Sequence, residues 1–307
     1  MNTTPSHLPA AGRRVPGTLL LVLAMVTVGS TVVASRLIAA GLPPFTAAAL
    51  RFAIALPIFL ALMRLRGERW PRPGARDAAL LLLQGLCGSV GYAVLLTMGM
   101  RTASAADAGI IAGSLPAVVA LAGMLLLRER IQAGQWLAIG LASAGVVAIQ
   151  LGTPPAPSTQ PSSPMGDALV FAAVVCEALF LILNRRLGVP VAALPQSALM
   201  CGLGLAFTCV PALFEHAGGH PADATALLGV VYYALVPTVG GYLLWYAGLE
   251  RVGAGRAAMC TAVLPVSAVA LAALVLKESI SAAQLAGAAF VMAAIVVGAA
   301  GARRARR

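Results

Sequence analysis

Residues 115–135 read LPAVVALAGMLLLRERIQAGQ, and residues 264–284 read LPVSAVALAALVLKESISAAQ. The second stretch follows the first at an offset of 149 residues with no gap: Pro116 meets Pro265, Glu129 meets Glu278, Ile131 meets Ile280 and Gln135 meets Gln284. Outside these stretches the same offset pairs Gly99 with Gly248 and Arg36 with Arg185. Agreement of Pro, Glu, Ile and Gln at one offset points to an internal duplication. Each copy pairs an apolar run with a charged boundary, which is the pattern of a helix leaving a bilayer.

Working outward, the rest of the chain has the same texture. Of 307 residues, 60% are hydrophobic and 10% charged, with a mean hydropathy of +0.92. A soluble domain carries about 25% charged residues. A polytopic helical membrane protein is therefore expected. About 20 apolar residues are needed per crossing. That rule places spans near 18–36, 45–63, 78–98, 104–127 and 134–151, then 166–184, 195–214, 225–246, 257–276 and 283–300. Shifted by 149, each span of the first set lands on its partner. The runs are continuously apolar and too long for the tilted strands of a barrel.

The predicted architecture is all-α, with ten transmembrane helices as two five-helix repeats covering 18–151 and 166–300. Residues 152–165 form a charge-free Pro/Ser-rich linker that spaces the halves. Arginines flank the ends assigned to one side: Arg13 and Arg14, the run Arg64 to Arg76, Arg128 and Arg130, Arg185 and Arg186, Arg251 and Arg256, and Arg303 to Arg307. Only Arg36, Arg51, Arg101 and Lys277 fall near the other side. The positive-inside rule then puts both termini in the cytoplasm. Five spans per repeat is odd, so the second repeat enters inverted, the plan of secondary transporters.

A net charge of +11 raises nucleic-acid binding, but the arginines sit in clusters between apolar runs and form no continuous face. Cys87, Cys176, Cys201, Cys209 and Cys260 all lie in apolar runs without a CxxC, so they read as packing residues. A second outer loop carries Glu215, His216, His220 and Asp223. Its His-x3-His spacing could ligate a metal, though a solvated loop is the simpler reading, and no metal or cofactor is expected. Nothing matches GxxxxGK[ST], HExxH or GxSxG, which speaks against ATP-driven transport and intramembrane catalysis.

Several polar residues fall inside the spans. Glu177 lies about 10 Å from the cytoplasmic end of the sixth span, where an ionised carboxylate costs roughly 2.5–3.5 kcal/mol to insert. It either faces a wet cavity, has a partner or is protonated. As a functional group it would bind a cationic part of a substrate or cycle a coupling proton; as a structural one it would hydrogen-bond a neighbouring helix. Asn184 shares its helix face. Its repeat mate is Val28, so the feature is asymmetric. Gln84 and Tyr92 in the third span are candidate cavity donors beside Ser89, Gly85, Gly88 and Gly91. Tyr242, Trp245 and Tyr246 share one face of the eighth span, suited to stacking on an organic cation or to an interfacial aromatic belt, the role also read for Trp70 and Trp136. Pro116 and Pro265 are read as mid-span kinks that free carbonyls and could line a cavity or act as hinges. Asp107 is an ion-coupling candidate, but Ser104-x-x-Asp107 also reads as a capping box. Glu129 and Glu278 read as caps or ion pairs at helix–loop junctions.

The segments SLPAVVALAGMLLLRERIQAGQWLAIGLASAGVVAIQLG (114–152) and VLPVSAVALAALVLKESISAAQLAGAAFVMAAIVVGAAG (263–301) resemble the ten-helix EamA branch of the drug/metabolite transporter superfamily. So do VTVGSTVVASRL (26–37) and VGAGRAAMCTAVLP (252–265). The resemblance implies a bacterial inner-membrane permease, commonly an exporter of amino acids, other metabolites or drugs. It further implies a central cavity between the first four helices of each repeat, with the fifth and tenth peripheral. The expected partners are a small-molecule substrate and the lipid bilayer. Uptake instead of export, a non-transporting membrane scaffold, and a homodimer stay open at this point.

Overall fold

The computed structural model describes residues 16–128, 133–152, 163–189, 191–216, 223–252 and 260–304. Among these the chain is helical throughout, with no strand. The helices are α1 (Gly17–Gly41), α2 (Pro44–Arg66), α3 (Ala75–Gly99), α4a (Ala105–Gly113), α4b (Leu115–Leu127) and α5 (Ala133–Gly152). The second set is α6 (Pro164–Asn184), α7 (Ala193–His216), α8 (Ala224–Val252), α9 (Val263–Val275) and α10 (Ala282–Arg304). Six of them, α1, α2, α3, α6, α7 and α8, are long and apolar enough to cross a membrane. The pair α4a–α4b is a broken seventh, bent by 44°, and the apolar stretches of α5, α9 and α10 are shorter.

Local chemistry sets the ends. Pro44 occupies the first turn of α2, where its missing N–H costs nothing, and Gly67 closes α2 in the left-handed region at φ 66°. The expected single fourth span is instead two helices. Ser114 separates them, and Pro116 sits in the first turn of α4b. Pro265 is likewise in the first turn of α9. Pro116 therefore stands at the 44° bend between α4a and α4b, and Pro265 at the start of α9. An N-terminal turn has no acceptor waiting for the amide that proline lacks.

Departures from regular helix recur at the 149-residue offset. A seven-residue π-helical turn interrupts α3 at Gly85–Gly91, and another interrupts α8 at Ala234–Gly240. Arg128 and Lys277, the residues beyond α4b and α9, both take φ 55°, an uncommon left-handed conformation for a side chain with a Cβ. In α8 the chemistry of the turn is visible. Pro237 has no N–H for the Tyr233 carbonyl four residues back, and the Thr238 hydroxyl donates to that carbonyl at 2.9 Å instead.

The packing runs between the halves. Helix α2 packs on α7, α5 on α10, α1 on α8 and α9, and α6 on α3 and α4b. Two close crossings are mates at the same offset. A Cβ added at Gly99 of α3 would lie 2.8 Å from the Gly166 carbonyl oxygen of α6, and one added at Gly248 of α8 would lie 3.0 Å from that of Gly17 in α1. Only glycine lets these backbones approach so closely. The buried centre is built of small and branched side chains such as Ala106, Ile110, Ala173 and Ala268.

Candidate functional site

Between the halves lies a cavity of about 260 Å³. Three pairs of offset mates line it: Val28 with Glu177, Gly88 with Pro237, and Leu115 with Leu264. Both π-helical turns therefore contribute to its wall. A π turn shifts the side chains beyond it around the helix axis and unseats part of the hydrogen-bond ladder, which gives an apolar bundle some polar surface where the two halves meet.

Two charged side chains face this space. Glu177 enters from α6, half-buried. Arg51 enters from α2 and is held by aromatic faces, its guanidinium carbon 4.4 Å from the Phe52 ring centre and 4.6 Å from that of Tyr233. Such cation–π contacts stabilise a desolvated guanidinium by about 2 kcal/mol without using its N–H groups. Arg51 Nε is buried with no hydrogen-bond partner. Among the described residues, no ion pair joins Arg51 to Glu177 or to another carboxylate. Tyr92, Thr31 and Thr238 supply the remaining polar groups of the wall.

The other sequence-predicted residues fall elsewhere. Gln84 and Asn184 form a separate polar cluster with Gln196 of α7. Gln196 Nε2 donates to Asn184 Oδ1 at 2.7 Å and lies 3.3 Å from Gln84 Oε1, and Gln84 Nε2 lies 3.4 Å from Asn184 Oδ1. This ties α3, α6 and α7 together away from the cavity wall. Tyr242 packs edge-on against Phe59 at 5.3 Å and tilted on Tyr246 at 4.6 Å, while Trp245 lies against Leu21 and Cys260. Those three side chains fill helix–helix contacts and do not line the cavity. Pro116 borders a second, apolar cavity of about 360 Å³ among α4b, α5 and α10; Pro265 is buried.

Near the helix ends, Ser104 Oγ accepts from Asp107 N at 3.0 Å, while Asp107 Oδ1 accepts from Gln284 Nε2 at 2.9 Å and its Oδ2 is buried with no hydrogen-bond partner. Glu278 caps the opposite half: its carboxylate accepts from the Ala105 and Ala106 amides of α4a, both at 3.1 Å. Glu215 does the same for α2, accepting from Phe45 N at 3.2 Å and from Thr46 N at 2.8 Å. Arg36 serves carbonyls, donating to Met100 O at 2.6 Å and Ala103 O at 3.1 Å. No group of three His, Cys, Asp or Glu that could hold a metal occurs among the described residues. The side chain of His216, and His220, Glu129 and Arg256, lie outside them.

The family model for the EamA-like transporter family matches this chain twice, over residues 15–151 and 164–298. The chain belongs to that family. This EamA-like transporter is 34% identical over 279 residues to the uncharacterized transporter YetK of Bacillus subtilis, covering 90% of this chain and 84% of that one. It is 26% identical over 201 residues to the probable terminal-alkyne amino-acid exporter of Streptantibioticus cattleyicolor, covering 66% of each chain. A solved crystal structure superposes with a TM-score of 0.61 over 95% of this chain and 99% of that one, at 21% identity, and so shares the fold.

The EamA-like transporter is thus a multi-pass membrane protein and a transporter, not an enzyme. Sequence reading singled out Glu177 and Tyr92 but placed Arg51 among the charges near a membrane face. Thr31, Tyr233 and Thr238 carry no signal of their own in the sequence. For Arg51 a signal existed: it stands six residues inside the predicted span 45–63, next to an aromatic residue, and is as anomalous there as Glu177 in its own span.

Proposed function

We propose that this EamA-like transporter exports a small amino-acid-like metabolite across the bacterial inner membrane by alternating access, with Glu177 receiving the ammonium and Arg51 the carboxylate. The observation that carries this reading is the meeting of one carboxylate and one unpaired guanidinium on a single cavity from opposite halves. A zwitterion satisfies both charges at once, and a site built to pair both ends discriminates strongly against analogues lacking one. Arg51 lies seven residues after the start of α2 and Glu177 seven before the end of α6, so each is about 10 Å from a helix end. The amino-acid exporter named among the relatives is consistent with this substrate class and direction. In the same reading the ten helices form two inverted repeats with both termini cytoplasmic, and rocking of one half against the other moves the site from one face to the other.

Proteoliposome counterflow tests the substrate class. Amino-acid zwitterions are expected to exchange, while the matching amines and carboxylic acids exchange at least tenfold more slowly; equal exchange of singly charged analogues would refute the pairing. Coupling to protons is read from Glu177→Gln: an imposed pH gradient drives the unaltered protein and leaves the variant's flux unchanged. Tags on the two chain ends, probed from either side of the membrane, check the topology, and ends on different sides would remove the inverted-repeat reading.

A further inference from the structure

A second site lies where α2 leaves the bilayer. At 23 residues, α2 is about 35 Å long, more than the roughly 30 Å hydrocarbon core, so its last turn and the segment after it stand at headgroup level. Gly67 turns the chain in the left-handed region. Pro71 and Pro73 stiffen the segment that follows. The result is a pocket of about 660 Å³ with an apolar floor, Leu60 and Met63, and a rim of three guanidiniums, Arg64, Arg69 and Arg72. Trp70, 50% exposed, also lines it, and Leu65 in the last turn of α2 is 83% exposed. Glu68 is the one acidic residue of the lining, so the pocket carries net positive charge.

Each feature fits one ligand. Guanidiniums bind the oxygens of phosphates and carboxylates in pairs, and the phosphate is the anionic group that phospholipid headgroups share. An exposed Trp marks the membrane–water boundary. An apolar floor on the last turns of a membrane-length helix meets the glycerol and first acyl carbons of a lipid. None of these residues lines the central cavity.

We propose that this pocket binds the phosphate of an anionic phospholipid, phosphatidylglycerol in its simplest form, and thereby fixes the depth of α2. The test is native mass spectrometry of the detergent-solubilised full chain titrated with phosphatidylglycerol or phosphatidylcholine. Phosphatidylglycerol is expected to bind, phosphatidylcholine to bind at least tenfold more weakly, and the Arg69→Ala/Arg72→Ala double variant to lose about 30-fold in phosphatidylglycerol affinity. The Arg69→Lys/Arg72→Lys variant keeps the charge and recovers part of that loss, which separates binding from misfolding. Arg101→Ala, an exposed arginine outside the pocket, leaves binding unchanged. Equal retention of the two lipids, undiminished binding by the double alanine variant, or displacement of phosphatidylglycerol by millimolar inorganic phosphate would each overturn the proposal.

Discussion

The two halves share a backbone and differ in chemistry. At one offset they repeat a π-helical turn, a left-handed residue after the fourth or ninth helix, and a glycine crossing onto a helix of the other half. The charged side chains and tyrosines that face the cavity do not repeat. Glu177 answers Val28, Arg51 answers Met200, and Tyr92 answers Gly241. A duplicated frame supplies a cavity and, in the proposed mechanism, the means to move it; the polar groups placed unequally on that frame supply the recognition. What is symmetric should therefore matter to folding, and what is asymmetric to transport.

Making the halves alike at Glu177 is the strongest way to break this comparison. Glu177→Val copies the mate Val28 into the second half and should leave insertion and thermal stability intact, since a charge leaves an apolar helix. Exchange of zwitterions in proteoliposomes is expected to fall roughly 100-fold or more, the loss typical of removing one partner of a buried charge contact. Normal exchange by a well-folded Glu177→Val protein would end the argument from asymmetry.

Arg51→Met copies Met200 in the same way and is expected to cost somewhat less, about 10- to 100-fold in apparent affinity for carboxylate-bearing solutes. Because the guanidinium lies over the rings of both Phe52 and Tyr233, Arg51→Lys should recover only a fraction of that loss: a lysine carries the charge but cannot stack as a plane on an aromatic face. Titrating solutes with and without a carboxylate against both variants provides the check. An equal effect on the two solute classes would show that Arg51 only supports the fold.

Much of the frame is legible in the sequence, and the reason is physical. The bilayer forces long apolar runs, and a gapless duplication makes every boundary visible twice. Glu177 is legible too, because a carboxylate inside an apolar run has few explanations. Arg51 is harder: charge counting treats it as one more basic residue near a membrane face, and the Tyr233 ring that holds it comes from a helix 182 positions further along the chain. The cap by Glu215 is hidden for the same reason, and Glu278 reads as a cap without revealing which helix it serves, since each acts on a helix start in the other half. The break at Ser114 was signalled locally by the Gly113-Ser114-x-Pro116 sequence, but a proline in a long apolar run suggests a kink as readily as a new start.

The symmetric features should respond symmetrically. Gly99→Ala and Gly248→Ala each drive a Cβ against a backbone carbonyl oxygen, at 2.8 and 3.0 Å, and a backbone cannot swing aside as a side chain can. Each substitution should cost about 1–3 kcal/mol, in the range of overpacked interiors, and the two costs should agree closely. Thermal unfolding in detergent measures both. A large loss at one glycine and none at the other would mean that the two crossings are not equivalent and that the duplicated frame has diverged.

The smallest effect tests how a cap is divided between near and distant residues. The first amides of α4a have two kinds of partner: Ala105 and Ala106 donate to Glu278 of the other half, and Asp107 donates to the local Ser104 hydroxyl. Glu278→Gln replaces one carboxylate oxygen by an amide NH2 facing an N–H, donor against donor, and should cost about 1–3 kcal/mol. Ser104→Ala removes a single acceptor at the helix start and should cost about 1 kcal/mol, the usual worth of an N-cap side chain. The order matters more than either value. If Ser104→Ala lowers the unfolding temperature more than Glu278→Gln does, the helix start is held locally. The contact between halves would then contribute little, and an element that could separate when the halves rock would have to be sought elsewhere than at α4a.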